Sequence, residues 1–187
     1  MNMIKLTSRQ AIIEAGFETF SQRPGASLAD VAARAGVGRA TLHRHFRSRG
    51  DLMVALAREA MVELEAAVGA ATADAPTYTE GLRLALAAII PLADRQWFLA
   101  HEPVEQDPDI ARAYQQDRAE LAADIEAAKA EGGFAKDIPT PWIAETYENL
   151  IYAAWTLVRN GEATSAQAAD LAWRTLTRGL EGGKIDR

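Results

Sequence analysis

Two helix-start signals, Ser27-x-x-Asp30 and Ser48-x-x-Asp51, enclose a stretch with Gly36 where an interhelical turn would fall and Val37 behind it as an apolar plug. In such a box the serine hydroxyl accepts the backbone N–H three residues on, and the acidic side chain reaches back. Gly36 tolerates the positive φ that a tight interhelical turn requires. The interval therefore holds two short helices, one of about 8 residues starting after Ser27 and one over residues 38–45. Leu28, Val31 and Ala32 give the first its buried side, and Leu42 and Phe46 anchor the second. Helices this short depend on packing against neighbours. Upstream, Leu6, Gln10, Ile13, Phe17 and Phe20 share one stripe, predicting a helix over about residues 5–22 that Arg23-Pro24-Gly25 stops.

The same grammar continues to the end of the chain. Ser48-x-x-Asp51 opens a long helix with Leu52, Leu56, Ala60 and Leu64 on one face. After a loop over residues 73–76, further helices are expected at 77–90, 92–102, 107–131, 141–160 and 164–181. Asp107-Pro108 and Thr140-Pro141 are start signals, Gly132-Gly133 is a stop, and Thr164-x-x-Gln167 is another capping box. No segment alternates apolar and polar residues with β-branched character, so the expected class is all-α.

Charge is unevenly spread. Residues 1–50 carry eight Lys and Arg against three Asp and Glu, a net +5, whereas the rest of the 187-residue chain carries −11 of the overall −6. A basic end on an acidic body suits a protein that brings one end to a polyanion. The expected organisation is a basic domain over 1–50 and an acidic helical domain over 51–187, with the fourth helix spanning the junction. The longest apolar run, residues 84–93, is too short to cross a bilayer and contains Pro91. With no apolar stretch in the first ten residues and no cysteine, a cytoplasmic location is expected, without membrane association, disulfides or cysteine-ligated metal.

The helix over 38–45 has the side chains to enter a major groove about 12 Å wide. Arg39 and Arg44 can read guanine edges, and Ala40 and the Thr41 methyl can pack on thymine methyls. His43, His45, Arg49 and the Ser27 hydroxyl are suited to phosphate contacts that fix register. From Ser27 to Leu52 the chain reads SLADVAARAGVGRATLHRHFRSRGDL, and this stretch resembles the helix-turn-helix of the tetracycline-repressor (TetR) family. The resemblance is carried by Val31-Ala32-x-x-x-Gly36-Val37 and by Thr41-Leu42-His43-Arg44-His45-Phe46 followed by Ser48-Arg49. Four positions depart from the family pattern: Gly38 replaces a common Ser or Thr, His43 a frequent Tyr, and Arg49-Gly50 a frequent Lys-Glu.

One recognition helix reads too few base pairs for useful specificity, so a homodimer on a palindromic double-stranded operator is expected. In the helix over 141–160, Ile143, Tyr147, Leu150, Ile151, Ala154 and Val158 fill one wide face with Trp155 at its edge, while Trp142 and Tyr152 lie elsewhere. With Leu171, Trp173, Leu176 and Leu180 of the last helix, Tyr152 and Trp155 are the expected contributors to a four-helix interface.

The resemblance further implies an effector pocket among the middle helices. Trp97, Phe98, His101, Tyr114 and Tyr147 are its candidate aromatic and polar groups, with Leu64, Leu86 and Leu121 as apolar walls, favouring an apolar or aromatic small molecule. The implied protein is a repressor whose operator is released when that molecule binds. The alternative is a DNA-binding architectural or protein-interaction factor with no effector. An enzyme reading would rest on His101-Glu102, Glu105 and Asp107, but Pro103 breaks the helical spacing a metal site would need. No nucleophile elbow, phosphate loop or dinucleotide fingerprint occurs, so neither catalysis nor a cofactor is expected.

Overall fold

The computed structural model describes residues 7–92 and 107–179. Among these there are eight α-helices and no strand: α1 (Ser8–Gln22), α2 (Leu28–Arg34), α3 (Arg39–His45), α4 (Arg49–Thr72), α5 (Tyr78–Ile89), α6 (Pro108–Ala130), α7 (Thr140–Arg159) and α8 (Ser165–Arg178). A short 3-10 turn, Ile90–Leu92, follows α5. The helix expected over 92–102 lies, beyond residue 92, outside the described residues.

Local chemistry accounts for most of the helix ends. Thr7 and Gln10 form a capping box that the sequence reading passed over: Thr7 Oγ1 accepts the Gln10 N–H at 3.3 Å and Gln10 Oε1 accepts the Thr7 N–H at 3.1 Å. That box starts α1 at Ser8. Ser27 and Asp30 form the predicted box for α2. The α4 box is offset, because Asp51 Oδ2 accepts from the Arg47 N–H at 3.0 Å while Ser48 Oγ accepts from the Asp51 N–H at 3.1 Å. Asp107 Oδ1 accepts the N–H groups of Asp109 and Ile110 at 3.1 and 3.2 Å and so caps α6. Helix α7 begins one residue earlier than expected, with Pro139 at its N-cap. Thr164 and Gln167 cap α8.

The described residues form two compact units. The first comprises residues up to Val62 together with 107–111, and the second comprises Glu63 to 92 and Arg112 onward. Helices α4 and α6 therefore each contribute to both.

In the first unit, α1, α2 and α3 pack mutually. Its core is built from Ile12, Phe17 and Phe20 of α1, Val31 and Ala32 of α2, Leu42 of α3, Phe46, and Leu52, Leu56 and Ala60 of α4. Gly36 adopts φ +66°, and the following Val37 N–H bonds back to the Ala32 carbonyl at 3.0 Å. This ends α2 abruptly enough for α3 to start three residues later. At the far end of the unit, Arg58 on α4 pairs with Asp107 and Asp109, both at 3.4 Å.

The second unit is held by α7 and α8 packed along one another, with α5 and its 3-10 turn against α8. The buried residues of α7 and α8 include Ala154, Ala168, Ala169 and Ala172, side chains small enough to permit close helix packing. Leu82, Leu86, Ile90, Ile125, Phe134, Ile143, Ile151 and Leu176 complete that core. Within it the buried Tyr147 hydroxyl donates to the Leu82 carbonyl at 2.8 Å. Among the described residues no helix is long and apolar enough to cross a membrane.

Candidate nucleic-acid interface

Two apolar anchors set what α3 can present. Leu42 is 1% exposed and Phe46, capping the helix, 4%. Four residues apart, they pin one side of the helix to the core and turn the opposite side outward. Arg39, Ala40, His43, Arg44 and His45 are exposed, and Thr41 is half-buried, in keeping with a part in packing. Ala40 and Arg44 share the ridge most nearly opposite Leu42. Arg39 and His43 border a hollow of about 160 Å³ that they share with Leu28 and Ala29 of α2 and with Leu42. The face thus carries cationic and imidazole groups around a methyl, the combination that base edges and phosphates accept.

Ser27 is exposed, but its hydroxyl is occupied within the capping box. It donates to Asp30 Oδ2 at 2.6 Å and accepts from the Asp30 N–H at 3.3 Å. The Ser27 hydroxyl and backbone N–H bonds, opposed by slight burial and aided by Arg23, hold the Asp30 carboxyl below the usual aspartate range. Capping accounts for Ser27 by itself.

Arg49 is only half-exposed and points into the fold. Its Nη2 donates to the Pro24 carbonyl at 2.8 Å, and its guanidinium carbon lies 4.9 Å from the centre of the Phe20 ring. Arg9 stacks similarly on Phe46, at 5.7 Å. Arg9, His45 and Phe46 border an open cleft of about 320 Å³ whose other wall is α4, through Asp51, Val54, Ala55, Arg58, Glu59 and Val62. Arg47, absent from the motif reading, is exposed between α3 and α4. The clustering of Arg44, Arg47 and Arg49 was the available signal for it.

The residues proposed for an effector pocket divide into groups. Trp97, Phe98 and His101 lie outside the described residues. Leu86 and Tyr147 are core residues of the second unit, at 0% and 3% exposure, while Leu64, Tyr114 and Leu121 are half-buried. Burial, aided by the nearby Asp124 charge, pushes the Tyr147 hydroxyl well above the usual tyrosine range. Three carboxyls in this unit, those of the exposed Asp117 and Asp124 and the half-buried Glu148, are also raised above their ordinary values. Desolvation is the main cause for each, reinforced by Glu120 and Glu65 at Asp117 and by Glu120 at Asp124. At Glu148 desolvation is partly offset by Arg118 and reinforced by Glu145. Among the described residues no group of three His, Asp or Glu could hold a metal ion.

The proposed dimer residues divide in the same way. Leu180 lies outside the described residues. Leu176 is fully buried in its own chain's core, so its contribution to any partner surface is indirect. Trp155 and Trp173 are half-buried, Trp155 donating to the Ile89 carbonyl at 3.4 Å and Trp173 edge-on to Phe134 at 6.3 Å. Tyr152 and Leu171 are exposed, as is Trp142 at 61%, which the wheel placed away from the wide apolar face.

Comparison with known proteins bears on the whole chain. A family model described as "Bacterial regulatory proteins, tetR family" matches residues 12–56. The HTH-type transcriptional repressor LfrR of Mycolicibacterium smegmatis is 28% identical over 174 residues, spanning 92% of this chain and 90% of its own. A crystal structure of the TetR-like transcriptional regulator LfrR from Mycobacterium smegmatis in complex with proflavine superposes with a TM-score of 0.77 at 28% identity, over 92% of this chain and 95% of that one. The ketosteroid transcriptional regulator of Mycobacterium tuberculosis shares the fold at 18% identity, with a TM-score of 0.79 over 94% of this chain and 95% of that one.

Proposed function

We propose that this chain, which matches the TetR family of bacterial regulatory proteins over residues 12–56 and is similar to LfrR over 92% of its length, is a ligand-responsive transcriptional repressor that binds a palindromic operator as a homodimer and releases it when a small molecule occupies the second unit. The observation that carries the reading is the exposed face of α3, with Arg39, Ala40, His43 and Arg44 turned outward by the buried anchors Leu42 and Phe46. A seven-residue helix held in this way has the size and chemistry of a major-groove reader.

Two such helices on a two-fold axis would read two half-sites. The exposed Trp142, Tyr152 and Leu171 on α7 and α8 support an interface there, since large apolar side chains in water favour association. An apolar or aromatic effector is the class we favour. The proflavine complex of LfrR supports it by showing that a protein of this architecture takes such a molecule. A differential affinity of about 1–3 kcal/mol between two spacings of the recognition helices would change operator occupancy roughly 5- to 150-fold. As a regulator of transcription the protein would act in the cytoplasm and require no catalysis.

A second reading, a DNA-binding factor with no effector, is favoured by one observation: Leu86 and Tyr147 are packed as core. Selecting bound fragments from a genomic DNA pool, then screening compounds for release of the selected duplex, separates the two. A palindromic site with one dimer bound, released by an aromatic compound, supports the repressor. A site that no compound releases supports the second reading, and no enrichment contradicts both.

A further inference from the structure

We infer that Arg49 acts on DNA recognition from inside the fold, as a positioning residue that closes the helix-turn-helix, rather than as a phosphate ligand. Arg49 is the first residue of α4, just beyond the exit from α3. Its guanidinium meets two other segments at once. One face covers the ring of Phe20, in the last turns of α1, at 4.9 Å, and Nη2 donates to the carbonyl of Pro24, in the turn that leads into α2, at 2.8 Å. The entrance to α2 and the exit from α3 are thereby tied to α1 by one side chain.

The chemistry requires arginine. A planar cation can stack by its face and donate from its edge in the same pose, which a tetrahedral ammonium cannot do. Phe20 is fully buried and Arg49 half-buried, so the stack forms part of the unit's packing. Helix α3 has only seven residues and two buried anchors, so its direction depends on how its flanking turns are held. Swinging the guanidinium out to a phosphate would give up both contacts. Arg47, exposed in the same turn, reaches solvent without that loss.

This role rests on the DNA-binding reading above, and the test separates the two. Arg49→Ala and Arg49→Lys, in the full-length protein, are titrated against the selected operator duplex over a range of salt concentrations. The temperature is kept well below each variant's melting point, with folding confirmed by circular dichroism. A positioning role predicts that both variants lose roughly tenfold in operator affinity, and that the dependence of log Kd on log salt keeps the wild-type slope. A phosphate ligand predicts the opposite: Arg49→Lys close to wild type, and Arg49→Ala with a slope shallower by about 0.9. That result would overturn the inference, as would wild-type operator affinity in both folded variants, which would leave Arg49 a stabilising contact only. Should Arg49→Ala fail to fold, Arg49→Lys alone still tests the inference: a roughly tenfold loss at the wild-type salt slope supports it, and wild-type affinity overturns it. Failure of the wild-type protein to select any site would remove the DNA-binding reading, and this role with it.

Discussion

The hydroxyl of Tyr147 on α7 donates to the main-chain carbonyl of Leu82 on α5 at 2.8 Å, inside a core where Tyr147 itself is 3% exposed. This tyrosine therefore bridges two helices. Tyr147→Phe should cost about 1 kcal/mol, read as a fall in melting temperature of roughly 2–4 °C for a chain of this size. If Tyr147 is purely structural, compound-induced release of DNA will be unchanged. A variant with wild-type stability and impaired release would make it a ligand contact.

Gly16 allows α1 and α4 to approach. A Cβ placed there would stand 3.2 Å from both Leu56 methyl carbons, and Leu56 is fully buried. Gly16→Val should destabilise by about 1–3 kcal/mol through overpacking. Denaturant melts of Gly16→Val with and without Leu56→Ala provide the check: the double variant should lose less than the sum of the single losses, because the second change makes the room that the first requires. Additive losses would contradict this account of the contact.

The turn at Gly36 makes a separate prediction. Its φ of +66° is one that side-chain-bearing residues adopt at a cost of about 1–2 kcal/mol, although a Cβ there would meet nothing within 4 Å. Gly36→Ala should lower stability by that amount through backbone strain, and Gly36→Asn by less, since asparagine tolerates the left-handed region better. Equal losses in thermal melts would point to some other cause.

Acidity should act in two opposite ways. Burial, with Glu120 nearby, raises the Asp124 carboxyl above its ordinary 3.8. A carboxyl whose folded pKa is raised destabilises the fold at neutral pH, and the penalty fades as pH falls through that raised value. Asp124→Asn should therefore raise the melting temperature at pH 7.5 and show a shrinking benefit as pH approaches 4. Asp30 and Asp107 are lowered, chiefly by hydrogen bonds from Ser27 and from the Ile110 N–H respectively, so their contribution is present above the unfolded value of 3.8 and lost below it. Asn at either position should narrow the stability difference between neutral and acid pH. Melts across pH 3–8 would show both trends, and a benefit of Asp124→Asn that grew in acid would refute the first.

Helix boundaries were legible in the sequence wherever a side chain bonds to nearby backbone, as at Ser27–Asp30, Asp107–Pro108 and Thr164–Gln167. Such signals act over three or four residues and depend little on the rest of the chain. The outward face of α3 was legible for a related reason: once Leu42 and Phe46 are buried, the helical period determines which residues point away. Arg49 was not. Its placement depends on Phe20 and Pro24, which are far from it in sequence, and arginine serves equally well for stacking inward or reaching outward. Leu176 and Leu171 show the same limit in the last helix. Both are leucines on an amphipathic helix, yet packing between α7 and α8 buries one fully and leaves the other 43% exposed.

The central claim is that α3 reads DNA, and the most direct measurement compares wild-type protein with Arg44→Ala and Arg39→Ala by fluorescence anisotropy on the selected operator and on unrelated duplex. The account predicts that each variant loses about 1–3 kcal/mol on the operator and much less on unrelated DNA, with discrimination relaxed at the same base-pair position in both half-sites. Operator affinity and discrimination unchanged in both variants would contradict it.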